Sequence, residues 1–240
     1  MAHKHGKAGY STYQMSVKRA GLALLFFAVA LGLMWFWARV SPRPASLAGV
    51  AVPLIIGVIA LHLAGSGKVL MKRSEQAERG ADAEVEVAHL LQELPTDYHA
   101  LHDLTFDGFN IDHVVIGPTG VFTVETKSHR GKVSASRDAL VLNGRPFEKP
   151  ILKQAWSEAF AVQEMLQHTT GKPCPVQPIL CFPNAVVEVR RPVIGVIVAS
   201  RGFLTRAITG HQAGSASPPE IHKLVSVLKP TVRPEVATRR

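Results

Sequence analysis

The sequence predicts an α/β domain with a mixed sheet flanked by helices, preceded by a two-helix transmembrane hairpin. Three observations predict it. Two long apolar runs lie near the N-terminus, at residues 20–38 and 45–64. Beyond them the pattern reads helix, several strands, helix, strands, helix, which suits a mixed sheet with helices packed on it. Residues 111–127 form two β-branched arms around Gly117, Pro118 and Gly120, a strand–turn–strand unit carrying Asp112, Glu125 and Lys127.

Residues 20–38 carry no charge and end in Trp35, Phe36 and Trp37, as a membrane–water interface favours. Residues 45–64 are also long enough to span a hydrocarbon core of about 30 Å, and Pro53 and Gly57 are tolerated in such a helix. The cations Lys4, Lys7, Lys18 and Arg19 precede the pair, Arg39 and Arg43 lie between, and Lys68, Lys72, Arg73 and Arg79 follow. This bias places both termini in the cytoplasm and the short loop outside, at the cell membrane. A cleaved signal peptide is the alternative for the first run, against which its length and the second run argue. No acidic residue interrupts either run, so nothing suggests transport.

The chain divides accordingly into a basic N-terminus (1–19), the apolar hairpin (20–64), a linker (65–77), a domain (78–228) and a basic tail (229–240). Its formal charge is +9, which favours an anionic partner, nucleic acid or a membrane surface. The cysteines, Cys174 and Cys181, fit no zinc or redox spacing and read as reduced core residues, a disulfide between them being the lesser alternative.

Within the domain, a helix is expected over about 75–94. Ala81, Glu84, Ala88 and Leu91 fall on one stripe, so Glu84 points with the apolar residues. Such a glutamate either reaches solvent at the stripe's edge or serves a site. Pro95 ends the helix. Residues 98–104, Gly131–Ser136 and Ala139–Leu142 read as strands, with a turn at Asn143-Gly144. A helix over about 151–168 carries the stripe Leu152, Ala155, Trp156, Ala159, Val162 and Leu166. Gln154 flanks it near the helix N-terminus, where free N–H groups favour phosphate; otherwise it is a solvated side chain. Residues 176–182 and 193–199 read as central strands, 203–208 as a strand or short helix, 210–217 as a loop, and 220–228 as the last helix.

If residues 117–120 close the turn, Ile116 opposes Val121, Val114 opposes Thr123 and Asp112 opposes Glu125, while Lys127 shares the face of Glu125. Opposed Cβ atoms lie about 4.5–5.5 Å apart. Two carboxylates so close shift their pKa values or share a cation, and Mg²⁺ takes one or two carboxylates with water and substrate phosphate. The plainer alternative is a Glu125–Lys127 surface pair on an edge strand.

Glu84, then Ile111-Asp112-His113-Val114-Val115, then residues 120–127 (Gly-Val-Phe-Thr-Val-Glu-Thr-Lys), then Gly131-Lys132-Val133, resemble the nuclease-related domain (NERD). The likeness covers about residues 78–190, and that domain is similar in fold to the PD-(D/E)xK nucleases, a restriction-endonuclease-like sheet. The resemblance implies that Asp112 and Glu125 hold Mg²⁺ or Mn²⁺, with Glu84 adding to the metal site. It implies that Lys127 orients or activates water, or neutralises the phosphate, and that Gln154 lies near substrate. The implied chemistry is metal-assisted hydrolysis of a phosphodiester in nucleic acid, DNA first. Ala83 stands where the family commonly has Gly, and Ser128 where Asn is common; neither is a proposed ligand. His113, on the opposite strand face from Asp112, reads as structural. His129, just past the strand, is in reach of substrate. The competing function is a non-catalytic module of this fold that binds nucleic acid or a protein partner at the membrane.

Overall fold

The computed structural model describes residues 1–6, 8–40, 47–106, 108–211 and 217–232. The chain forms two compact units, Ser11–Arg79 and, separately, Met1–Tyr10 with Gly80–Arg240.

The first unit holds α1 (Tyr10–Val40) and most of α2 (Leu47–Gln92). Apolar side chains of α1 stand exposed, among them Leu24, Leu25, Leu31, Trp35 and Phe36, and the Arg39 guanidinium lies 5.2 Å over the Trp35 ring. Among the described residues no helix is long and apolar enough to cross a membrane, and residues 41–46, which include most of the expected loop, lie outside them. Residues 65–77, expected as a linker, lie within α2, which is 46 residues long. Lys68 to Ala77 supply the reason, since Lys, Leu, Met, Arg, Glu, Gln and Ala all favour helix and no proline interrupts them.

The second unit is built on a six-stranded sheet. β1 (His3–His5) lies parallel to β2 (His99–Phe106), which pairs antiparallel with β3 (Phe109–Gly117), and that with β4 (Gly120–Thr126). A smaller sheet comes next in sequence, with β5 (Gly131–Ser136), β6 (Ala139–Leu142) and β7 (Arg145–Pro146). The helix α3 (Ile151–Thr170) then leads to β8 (Val176–Phe182), which lies parallel to β4. β9 (Ala185–Val187) joins the smaller sheet beside β5, and β10 (Ile197–Ser200) closes the main sheet beside β8. Two helices follow, α4 (Leu204–Thr209) and α5 (Pro218–Leu228), and a 3₁₀ turn at Lys229–Thr231. The sheet is mixed and flanked by helices, as the element order implied.

Helices cover both faces of the main sheet. Val87 and Leu91 of α2, with Leu204 and Ala207 of α4, pack on Val115, Phe122, Val124, Ile179 and Ala199. On the other face Ala159, Val162 and Leu166 of α3 and Ile221, Leu224 and Val225 of α5 pack on Leu101, Val114, Ile116 and Val121. The central strands β2, β3 and β4 thus alternate between two apolar layers.

Several expectations change. His3–His5, read as part of a polar N-terminal flank, is an edge strand of the main sheet whose backbone pairs with β2; nothing in its composition announces a strand. Residues 193–199 do not form one central strand. Val193 and Val196 exchange backbone hydrogen bonds of 2.9 and 3.0 Å around Ile194-Gly195, so the chain turns first, and β10 is then the edge strand. Residues 203–208 resolve to helix. Residues 233–240 of the expected tail and 212–216 of the expected loop lie outside the described residues.

Candidate active site

The site grows from the β3–β4 hairpin. Val114 opposes Thr123, Ile116 opposes Val121, and Gly117 opposes Gly120, so the turn tightens to Pro118-Thr119. The paired register ends with His113 against Val124; continued one step it would set Asp112 against Glu125, whose charge raises the pKa of Asp112. The Thr126 backbone N–H donates to Asp112 Oδ2 at 2.8 Å, tying the strands together at this end. The backbone N–H of Lys127 donates to the Cys181 carbonyl at 2.8 Å, extending the β4–β8 pairing past Thr126.

α3 supplies the other half. The Lys127 ammonium donates to Glu125 Oε1 at 2.6 Å and to Gln154 Oε1 at 2.9 Å. Gln154 Nε2 donates to Glu125 Oε1 at 2.7 Å and to Glu158 Oε1 at 2.9 Å. Lys127, Glu125 and Gln154 therefore close a ring of hydrogen bonds, and Glu158 is attached to it one helical turn along α3. Gln154 does not reach out from the helix N-terminus; its amide is spent on side chains of the hairpin and of its own helix.

Glu84, Glu125 and Glu158 are all buried, at 8%, 6% and 2% exposure. Asp112 keeps a partly exposed surface, yet its carboxyl group titrates well above the usual range. Burial is the main cause, followed by the negative charges of Glu125, Glu84 and Glu158; the Thr126 N–H opposes them. Glu158 is pushed up to about 9, by burial first and the charge of Glu125 second, against the opposing hydrogen bond from Gln154. Its Oε2 is buried without a hydrogen-bond partner. Glu84, from α2, thus reaches Asp112 electrostatically, which places all the sequence-selected residues in one neighbourhood.

A group of buried carboxylates with one ammonium among them is unfavourable unless protons or a cation neutralise it. Among the described residues no three His, Cys, Asp or Glu side chains are arranged to hold a metal ion. The donors that Asp112 and Glu125 offer are all oxygen, which suits Mg²⁺ or Mn²⁺ completed by water and phosphate, and not a closed protein cage.

His113 is buried on the opposite face. Its Nδ1 lies 2.8 Å from His102 Nδ1 and its Nε2 lies 3.3 Å from the Thr126 hydroxyl. Two Nδ1 atoms at that separation need one protonated and one bare nitrogen there, so at least the accepting ring is neutral. Burial lowers the pKa of each, that of His102 to about 4. The histidine His129 packs its ring edge-on to Phe147 at 5.2 Å and lies 6.4 Å from Phe182.

Sequence reasoning missed Glu158. The signal was present: it falls between Ala155 and Val162 on the buried stripe of α3, the same pattern that singled out Glu84 on α2.

Residues 79–183 match the family described as the nuclease-related domain, NERD. Over an alignment of 76 positions that covers 29% of the chain, it is 37% identical to an uncharacterized protein of Bacillus anthracis. The match spans 36% of that protein, about a third of its length. No solved structure matches. The matched region, similar to the nuclease-related domain, holds Glu84, Asp112, Glu125, Lys127, Gln154 and Glu158.

Proposed function

We propose that this chain is a divalent-metal-dependent, nuclease-like enzyme that hydrolyses phosphodiester bonds in nucleic acid, DNA first, at a membrane. The ring of Lys127, Glu125 and Gln154 beside Asp112 carries the reading. It sets an ammonium next to paired carboxylates, inside the region similar to the nuclease-related domain. Asp112 and Glu125 would hold Mg²⁺ or Mn²⁺, with Glu84 as the further carboxylate. The ion supplies Lewis-acid polarisation of the phosphodiester and lowers the pKa of the attacking water.

The chain's own residues do the rest. Lys127 orients the water by hydrogen bonding or balances charge on the phosphate as it develops. Gln154 fixes the ammonium through its carbonyl and Glu125 through its amide, so the two are positioned before substrate arrives. Substrate contact would fall to the exposed side of this ring. The apolar side chains exposed on α1 support attachment to a bilayer, with the enzymatic unit on the cytoplasmic side as the Lys and Arg bias favours.

A second reading is a non-catalytic module that binds nucleic acid or a protein partner. The ion pair already satisfying Lys127, and the lack of a three-ligand set among the described residues, favour it. The test is to incubate the full chain, in detergent or vesicles, with plasmid and linear DNA in Mg²⁺, Mn²⁺ or EDTA. Metal-dependent cleavage lost in Glu125→Ala and Lys127→Ala supports the enzyme. Cleavage that survives both substitutions removes the assigned site, and salt-sensitive binding with no cleavage supports the module.

A further inference from the structure

A cleft of about 340 Å³ opens at the outer edge of the main sheet, between the loop before β10 and α4. Arg190 and Arg191 reach it from the loop and Arg206 from α4, beside His211. No carboxylate lines it, and none of these arginines makes an ion pair among the described residues. Its apolar wall includes Ile197, Val198 and Phe203, the last 42% exposed. Like charges gathered at one concave, partly apolar surface repel each other and concentrate positive potential, so the arrangement is stable only at some cost unless an anion shares it. The planar guanidinium fork matches phosphate oxygens in pairs, and an exposed aromatic ring offers a base or sugar an apolar face.

A neighbouring cleft of about 440 Å³ shares Arg190 and Arg191 and adds Arg137. It also contains Asp138 and Glu188, the latter paired with Lys132 at 2.9 Å. Arg190 and Arg191 therefore form a ridge between two openings, and the acid-free side is the stronger anion site. The strand register sets its distance from the carboxylates. Val198 opposes Leu180, and Leu180 opposes Glu125. Two strand spacings, about 10 Å, separate the Val198 backbone from that of Glu125, while α4 and the Gln154-bearing α3 lie on opposite faces of the sheet.

We infer that the Arg190, Arg191 and Arg206 cleft seats the phosphodiester backbone of a nucleic-acid strand at the sheet edge, two strands from the Asp112–Glu125 site. This rests on the nuclease reading for its location relative to cleavage, not for the binding itself. The cleft acts through charge and backbone geometry, so it is indifferent to base sequence. It raises the affinity for long strands over short ones and leaves the chemical step alone.

The experiment measures binding of a labelled single-stranded DNA oligonucleotide to the full chain by fluorescence anisotropy, in EDTA, across a range of NaCl. It compares the wild type with the combined Arg190→Ala, Arg191→Ala and Arg206→Ala variant, and with the corresponding Lys variant as a folded, charge-retaining control. The Ala variant is expected to bind about 10- to 100-fold more weakly. Its plot of log affinity against log salt is expected to be shallower by about 2, since each lost single-strand phosphate contact removes about 0.7. The Lys variant retains the salt slope with a smaller loss of affinity. Unchanged affinity and slope in the Ala variant overturn the inference. So does equal competition by a mononucleotide and by the oligonucleotide, because that marks a single-phosphate site. Weakened binding without cleavage in any metal leaves the cleft standing and defeats the nuclease reading; cleavage with unaltered binding does the reverse.

Discussion

Gln154 and Glu158 stand one helical turn apart on α3, and the amide Nε2 of the first donates to Oε1 of the second at 2.9 Å. The same Nε2 donates to Glu125, so one amide holds together two buried carboxyl groups that would otherwise repel. Gln154→Leu removes this bridge and the acceptor for Lys127. Stability is expected to fall by about 1–3 kcal/mol, the usual cost of leaving buried polar groups unpaired. Activity, where cleavage is detected, is expected to fall about 10- to 100-fold, as when a group that orients a metal ligand is lost. Urea unfolding and initial cleavage rates check the two separately.

The fold disfavours the charged form of Glu158. Its pKa rises from the ordinary carboxyl value to about 9 in the fold. A raised folded pKa contributes stability that is complete below the unfolded value and lost as pH rises through the folded one. Glu158→Gln, which keeps the shape and cannot ionise, is therefore expected to unfold at higher temperature than wild type near pH 8. The gap, about 1–3 kcal/mol, should close toward pH 5. Thermal unfolding in EDTA at both pH values measures it, and an equal gap at both would show that Glu158 ionises freely.

His102 works in the opposite direction. In the unfolded chain it titrates near 6.5, and in the fold near about 4. Above 6.5 neither state binds the proton, so its contribution is constant. Below 6.5 the unfolded chain takes up a proton that the fold refuses, and stability declines by at most about 1.4 kcal/mol per pH unit until about pH 4. Asp112 and Glu158 oppose this trend, so the histidine is isolated by difference. The stability advantage of wild type over His102→Phe is expected to shrink steadily between pH 6.5 and 4 in urea titrations.

The turn at Ile194-Gly195 stores strain. Ile194 has φ 48° and Gly195 φ 75°, a turn that favours Asn-Gly and disfavours a β-branched first residue. Trp156 Nε1 donates to the Ile194 carbonyl at 2.8 Å, and a Cβ on Gly195 would lie 2.9 Å from the Trp156 ring. Ile194→Asn is expected to stabilise by about 1 kcal/mol and Gly195→Ala to destabilise by about 1–3 kcal/mol, opposite signs at adjacent positions that chemical denaturation reads directly.

The hairpin was legible because its information is local. Alternation and turn chemistry gave the pairing of Val114 with Thr123 and Ile116 with Val121, and the bounds of Gly131–Ser136 and Val176–Phe182 follow from β-branched runs ended by turns. Glu84 was legible as a carboxylate on an apolar stripe, and Glu158 carried the same mark unread. What stayed hidden depends on the rest of the chain. His3–His5 becomes a strand only because β2 offers a free edge, and β9 only because β5 does. The role of Gln154 could not be read from α3 alone, since its partners Glu125 and Lys127 arrive from a strand 27 to 29 positions away. The strand at 193–199 misled because continuous apolar residues conceal a turn that contains no Asn or Asp.

The most direct test of the carboxylate site is calorimetric titration of Mn²⁺ into the full chain without DNA, repeated in buffers of different ionisation heat. Glu158 holds a proton in the metal-free fold, and burial with the neighbouring carboxylates raises the pKa of Asp112, so a cation seated at Asp112 and Glu125 is expected to displace protons. One binding event with buffer-dependent heat is expected, lost in Asp112→Asn and in Glu125→Gln. Absence of binding, or binding equal in wild type and both variants, would contradict a metal site on this hairpin.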